Sequence, residues 1–197
     1  MTEAKEHKRK RIRKIATKLF VQKGFENTTT RDIANAAGIN NAALYYYFDS
    51  KEELLYQILN NTVRIGLEQI REIERSKIGL KEKLIAISDM YTHYYAYDTD
   101  MMKLLVHDQK SLRPKRKEKL DSLQKDYVRI FVKILNDLKK SGDILDLDTK
   151  VCAFAFFGMV HWAYRWYDPG GPITPDELSK IFNQIFTKGI FSGIDDR

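Results

Sequence analysis

Apolar positions repeat at helical spacing along nearly the whole chain. Ile12, Ile15, Ala16, Leu19 and Phe20 fall at i, i+3, i+4, i+7 and i+8, and predict a helix over residues 5–23 with one buried stripe. Ile33, Ala34 and Ala37 form a shorter apolar face, and Thr29 is placed to cap it with Asp32 three positions on. Gly38 ends such a helix cheaply through a positive φ. Asn40 or Asn41 then caps the next helix, residues 42–48. Ser50 and Glu53 open a long helix to about residue 75, with Leu54, Leu55, Ile58, Leu59, Val63, Ile65, Ile70 and Ile73 apolar. Ile78-Gly79 breaks the pattern. Further helices are predicted over 80–97, from a cap at 98–100 to 107, from Pro114 to 140, over 149–167, and from Thr174-Pro175 to 191. Only Tyr45-Tyr46-Tyr47-Phe48 has strand-forming residue types, and helix signals flank it on both sides with no partner strand nearby. The fold class is therefore all-α, with about nine helices.

Two short helices of small residues joined by a Gly turn make a helix-turn-helix, whose second helix enters the DNA major groove. Charge strengthens that reading. Residues 1–51 hold 11 Lys and Arg against 5 Asp and Glu, whereas residues 52–197 hold 23 against 22, so +6 of the net +7 lies in the first quarter. Such a concentration beside a helix-turn-helix is the footprint of phosphate binding. Lys8, Arg9, Lys10, Arg11, Arg13 and Lys14 give the first helix a basic face that would also suit an anionic membrane. Its apolar stripe, however, is what Ile33, Ala37, Leu44 and Phe48 need as cover. No apolar run approaches the roughly 20 residues of a membrane span, and the opening MTEAKEHKRKRIRK has no apolar signal region. The one cysteine, Cys152, lies in the apolar run CAFAFFGMV and reads as a buried thiol. A cytoplasmic protein without a membrane partner is expected.

The stretch AGINNAALYYYFDSKEELL resembles the TetR-type repressor pattern Ala-Gly-Val-Ser-x-x-x-Leu-Tyr-x-His/Tyr-Phe-x-x-Lys-Glu-x-Leu. Asn40 stands for the usual Ser cap, and Ala42 stands where Gly is frequent. The resemblance covers roughly the first 55 residues. It implies a DNA-binding domain over 1–51 and an effector-binding and dimerisation domain over 52–197. Within the first, Thr30 and Arg31 would hold phosphate. Asn40, Asn41, Ala42 and Tyr46 would face bases, while Tyr45, Tyr47 and Lys51 would grip the backbone. Half-site symmetry makes the expected partners a homodimer and a palindromic double-stranded operator.

The second domain is dense in aromatics and methionines, which suits a cavity for a largely apolar small-molecule effector as well as a core. Tyr91, Tyr94, Tyr95, Met102, His107, Phe131, Phe157, His161, Trp162, Arg165 and Trp166 are its candidate ligand residues. Residues 149–167 are apolar nearly all round. Leu178, Ile181, Phe182, Ile185, Phe186 and Ile190 form a stripe along the last helix. In TetR-like proteins the last two helices build the dimer interface, which assigns Val151, Ile181, Phe182, Ile185 and Phe186 to it. The tail HWAYRWYDPGGPITPDELSKIFNQIFTKGI is similar to TetR-type regulators of fatty-acid metabolism that respond to acyl-CoA. Arg165 beside Trp162 and Trp166 combines a cation with stacking faces for a phosphorylated adenine nucleotide. The basic run from Lys110 to Lys119 would hold further phosphates.

The expected function is a repressor released from operator DNA by an effector, a long-chain acyl-CoA, or alternatively a drug or other hydrophobic ligand. A helical enzyme acting on acyl thioesters is the competing class. His7, His93, His107 and His161 lack metal-ligand spacing, and there is no Gly-rich phosphate loop or nucleophile elbow. No metal, cofactor or catalytic residue is expected.

Overall fold

The computed structural model describes residues 3–191. Among them are nine α-helices: α1 (Glu3–Lys23), α2 (Thr30–Ala36), α3 (Asn41–Tyr47), α4 (Lys51–Arg75), α5 (Leu80–Tyr97), α6 (Thr99–His107), α7 (Pro114–Lys140), α8 (Thr149–Trp162) and α9 (Pro175–Ile190). Single 3-10 turns occupy Gln109–Ser111 and Ala163–Arg165. The only strand-like feature described is an isolated bridge between Ile144 and Phe191. The all-α reading holds.

The chain divides into two compact units. One takes residues up to Arg64 together with Asp100–Asp121, and the other takes Ile65–Thr99 and the chain from Ser122 onward. This division differs from the expected cut after residue 51, which falls inside α4. Both α4 and α7 run on from one unit into the other.

In the first unit, α1 buries Ile12, Ala16 and Phe20. The ends of its short helices carry the predicted chemistry. Thr29 caps α2 in a reciprocal box with Asp32, and Gly38 follows at φ +65°. Asn40, not Asn41, caps α3, its Oδ1 accepting from the Ala43 amide at 2.7 Å. The aromatic run stays helical to Tyr47 and only Phe48 turns extended, so α3 stops one residue short of expectation. At the start of α4, Ser50 Oγ accepts from the Glu53 amide at 3.0 Å. The Glu53 carboxylate reaches back to the Asp49 amide instead of Ser50, so the expected box closes one residue early. Polar contacts tie the stretch after α6 to the rest of this unit. Ser111 Oγ donates to Glu26 Oε1 at 3.1 Å, and the Arg113 amide donates to Glu52 Oε1 at 3.0 Å. The Arg116 guanidinium pairs with the same Glu52 carboxylate.

The second unit is built on rings. Phe131, Phe156 and Phe186 are buried, with Phe131 to Phe156 at 5.0 Å and Phe156 to Phe186 at 5.2 Å between centroids. Asp89 joins α5 to α9 by accepting from Ser179 Oγ at 2.7 Å and from the Asn183 amide. Helix α8 gives way to the 3-10 turn after Trp162, earlier than the expected residue 167. Pro169 disfavours helical geometry at Asp168, and Tyr167 Oη donates to Ile173 O at 3.0 Å, holding the loop that follows.

Candidate functional site

Helix α3 presents an outward face made of the residues the sequence singled out. Asn40, Arg31 and Ala42 are exposed, as are Tyr45 and Tyr46 at 48% and 67%. Thr30, Asn41 and Tyr47 are half-buried, and Thr30 Oγ1 lies 3.5 Å from Tyr45 Oη, linking the start of α2 to α3. Capping occupies Asn40 Oδ1 and leaves its amide nitrogen as the group able to donate elsewhere. Lys5 sits 4.2 Å over the Tyr46 ring.

Two cations brace this face. Arg9 donates to Tyr47 O and to Gln57 Oε1, each at 2.6 Å, and lies 4.7 Å over the Phe48 ring. A cation at the carbonyl end of a helix meets its negative pole, so Arg9 pins α3 between α1 and α4. Lys51 donates to Phe25 O at 2.6 Å and Glu26 O at 3.3 Å, with its ammonium 4.3 Å over the Phe25 ring. Those contacts give Lys51 a task inside the unit, tying the α1–α2 turn to α4, beside the outward grip expected of it. Neither brace was legible, because each depends on a neighbour 25 or more positions away.

In the second unit the candidate ligand residues separate into two groups. Tyr91, Tyr95, Phe131, Phe157 and His161 come together. Tyr91 lies 4.9 Å from Tyr95 and 5.0 Å from Phe157, and Tyr95 stacks on His161 at 4.8 Å. Tyr91 Oη donates to Tyr95 Oη at 3.2 Å and shares a hydrogen bond with His161 Nε2. Burial lowers His161 to about 4 and raises the Tyr91 and Tyr95 phenols. The cluster therefore offers neutral hydrogen-bonding groups at ordinary pH, and nothing that would neutralise an anion. Tyr94 is half-buried on the same helix. Trp162 and Trp166 are instead 60% and 52% exposed, with exposed Arg165 5.1 Å over the Trp162 ring. Met102 is buried and His107 exposed, both on α6 in the first unit.

Sequence reasoning missed Ser88, Thr92 and Tyr127. Ser88, Tyr91, Thr92 and Tyr95 share one face of α5, and the Ser88 and Thr92 hydroxyls are buried without a partner among the described residues. Polar residues at i, i+3, i+4 and i+7 are a legible signal for an inward polar face. Tyr127 stands 5.4 Å from Tyr91, and a side chain at Gly66 would overlap its hydroxyl.

The expected dimer residues also divide. Val151, Ile181 and Ile185 are exposed, together with Phe154, whereas Phe182 and Phe186 are buried within the unit. The single stripe of α9 is thus an inner row and an outer row. An open groove of about 400 Å³ runs along the outer side of α8 and α9, lined by Val151, Ala155, Met159, Ile185 and Gly189.

Among the described residues, no three His, Cys, Asp or Glu gather as for a metal ion, and no helix is long and apolar enough to cross a membrane.

Comparison with known proteins places this geometry. The family described as bacterial regulatory proteins, tetR family, matches residues 12–58, and that described as Tetracyclin repressor-like, C-terminal domain, matches residues 78–190. The HTH-type transcriptional repressor KstR2 of Rhodococcus jostii is 32% identical over 196 residues, covering 97% of this chain and 95% of that protein. The fatty acid metabolism regulator protein of Bacillus subtilis is 24% identical, covering 74% and 75%. Among solved structures, AibR in complex with isovaleryl coenzyme A and operator DNA superposes with a TM-score of 0.82 at 25% identity, covering 91% of this chain and 98% of that one. On the match to its C-terminal domain and to a full-length repressor, the chain belongs to the TetR family of transcriptional regulators.

Proposed function

We propose that this regulator is a homodimeric repressor released from a palindromic operator by an acyl-CoA. The observation that carries the effector assignment is the neutral, part-buried Tyr91–Tyr95–His161 cluster, built on an α5 face that also holds two unpaired hydroxyls. A thioester carbonyl is an uncharged acceptor that such phenols recognise, and the phenylalanines around them accept an acyl chain. The CoA phosphates need cations outside the cluster, and Arg165 on its Trp162 platform is the candidate group. KstR2 is named a repressor, and AibR is described with both isovaleryl coenzyme A and operator DNA. Both names support the reading.

On the DNA side, the capped and braced α3 offers Asn40, Asn41, Ala42 and Tyr46 to base edges, with Thr30, Arg31, Tyr45 and Tyr47 beside the backbone. Dimerisation covers the outer row of α8 and α9, where Val151, Phe154, Ile181 and Ile185 expose more apolar surface than a lone subunit tolerates well. Release follows from the effector binding one of two dimer states more tightly than the other.

The test is fluorescence anisotropy on duplex DNA from upstream of the gene, with acyl-CoAs of increasing length as titrants. Wild type should bind and be released. Tyr91→Phe should keep operator affinity and need about 5–10-fold more effector, the worth of one hydrogen bond. Ile185→Glu should sediment as a monomer. Release that no acyl-CoA produces would refute the effector assignment, and a monomeric wild type would refute the dimer.

A further inference from the structure

Six cations lie between Lys110 and Lys119, and sequence reasoning gave them to an effector's phosphates. The structure places them elsewhere, in the same compact unit as the helix-turn-helix. We propose that the turn between α6 and α7 is a second DNA-contacting surface, holding phosphates outside the bases that α3 reads. The inference rests on the proposed operator binding.

Charge is the first argument. Residues 1–64 and 100–121 carry 19 Lys and Arg against 11 Asp and Glu, a net +8, whereas the rest of the sequence carries 15 against 16, a net −1. The separate stretch 100–121 supplies 7 positive and 4 negative of these charges, so it brings +3 into a unit that is already basic. Charge here follows the folded unit and not chain order.

Seating is the second. Glu52 is only 14% exposed in its side chain, and it binds both the Arg113 amide and the Arg116 guanidinium. That carboxylate fixes the start of α7 to the first turn of α4. Its neighbour Lys51 lies beside Thr30 and Tyr45, and donates to the Phe25 and Glu26 carbonyls. Glu26 in turn accepts from Ser111. A short run of contacts therefore leads from the residues beside α3 to the basic turn.

The distribution of ion pairs is the third. Arg116 and Lys117 are used internally, on Glu52 and on Asp121 at 2.7 Å. Lys110, Lys115 and Lys119 are exposed and make no ion pair among the described residues, and the Arg113 side chain stays 78% exposed although its Nε lies 3.9 Å from Glu52. Burying one carboxylate to anchor a turn whose remaining cations all face water suits a polyanion of fixed shape. Duplex DNA is the polyanion this unit is built to meet.

The experiment compares wild type with a Lys110→Gln/Lys115→Gln/Lys119→Gln variant, shown by thermal unfolding to be folded. Anisotropy is read across a salt series on a long operator duplex and on one trimmed to the bases under α3. On the long duplex the slope of log affinity against log salt should fall by about 2 to 3, since each phosphate contact contributes about 0.9. On the trimmed duplex it should change little, and the ranking of mutated operators should stay the same. A Lys77→Gln/Lys125→Gln control in the other unit should leave the slope unchanged. Four results overturn the proposal: an equal slope for variant and wild type, an equal loss on both duplexes, reduced effector potency with the slope intact, or lost binding to anionic phospholipid vesicles with the slope intact. If wild type binds no operator at all, the repressor reading falls as well, and the two failures are told apart.

Discussion

The two units of this regulator are held by different forces. The first contains helices of seven residues whose ends are closed by single polar contacts: Thr29 with Asp32, Asn40 on Ala43, Arg9 on Tyr47, Lys51 on Phe25. A helix that short has more unpaired end groups than internal bonds, so its stability depends on what meets those ends. The second unit has helices of 14 to 18 residues beside the continuations of α4 and α7, and a core of stacked phenylalanines and tyrosines. There, burial of ring area dominates. The contrast suits the roles proposed for them. A surface that reads DNA needs rigid placement of small elements, while one that admits a greasy effector needs an adaptable interior.

Deleting a core ring should break the second unit first. Phe131 is wholly buried between Phe156 and Phe157, and Phe131→Ala should cost about 3–5 kcal/mol in chemical denaturation. Operator affinity of the folded fraction should survive. A variant that loses base preference as well would erase the distinction between the units.

Acid should strike the same unit next. Burial holds His161 neutral down to about pH 4 in the fold, while the unfolded chain takes up a proton near 6.5. Because the folded value is the lower one, its contribution is complete above about pH 6.5. It drains away as pH falls toward 4, by as much as about 3 kcal/mol. Urea denaturation at several pH values should show a shallower acid loss for His161→Asn than for wild type. Identical profiles would remove His161 as the cause. His93 runs the other way: burial lowers it, but the Asp176 and Asp89 hydrogen bonds outweigh that and raise it. Its stabilisation is present below its unfolded pKa and lost as pH rises through the folded value.

A smaller effect should separate the roles open to Lys51. Lys51→Met strips the Phe25 and Glu26 carbonyls of a charged donor and should cost the first unit about 1.5–3 kcal/mol. The salt slope of operator binding should move by less than the roughly 0.9 of one phosphate contact. A full unit of change would return Lys51 to the DNA backbone.

How far the sequence reached follows the same division. Thr29, Gly38, Asn40 and Thr174 announced helix ends correctly, because a cap is a bond between residues two or three apart. The resemblance of residues 37–55 to TetR-type repressors carried the family for the same local reason. Three things stayed hidden. Trp162 and Arg165 looked like partners of His161 but face outward, Trp162 because one helical step turns it about 100° from His161 and Arg165 because the 3-10 turn after α8 ends the helical register. Phe182 and Phe186 looked like neighbours of Ile185 but point into the core. The cations from Lys110 onward looked like part of the effector domain but join the basic unit. The sequence by itself determined the helices, their caps and the family. Only the tertiary structure decided which side of α8 and α9 is buried, what Lys51 and Glu52 hold, and where the second cluster of positive charge belongs. Pairings across dozens of residues leave no periodic trace in a chain, because they are set by how helices pack and not by how they form.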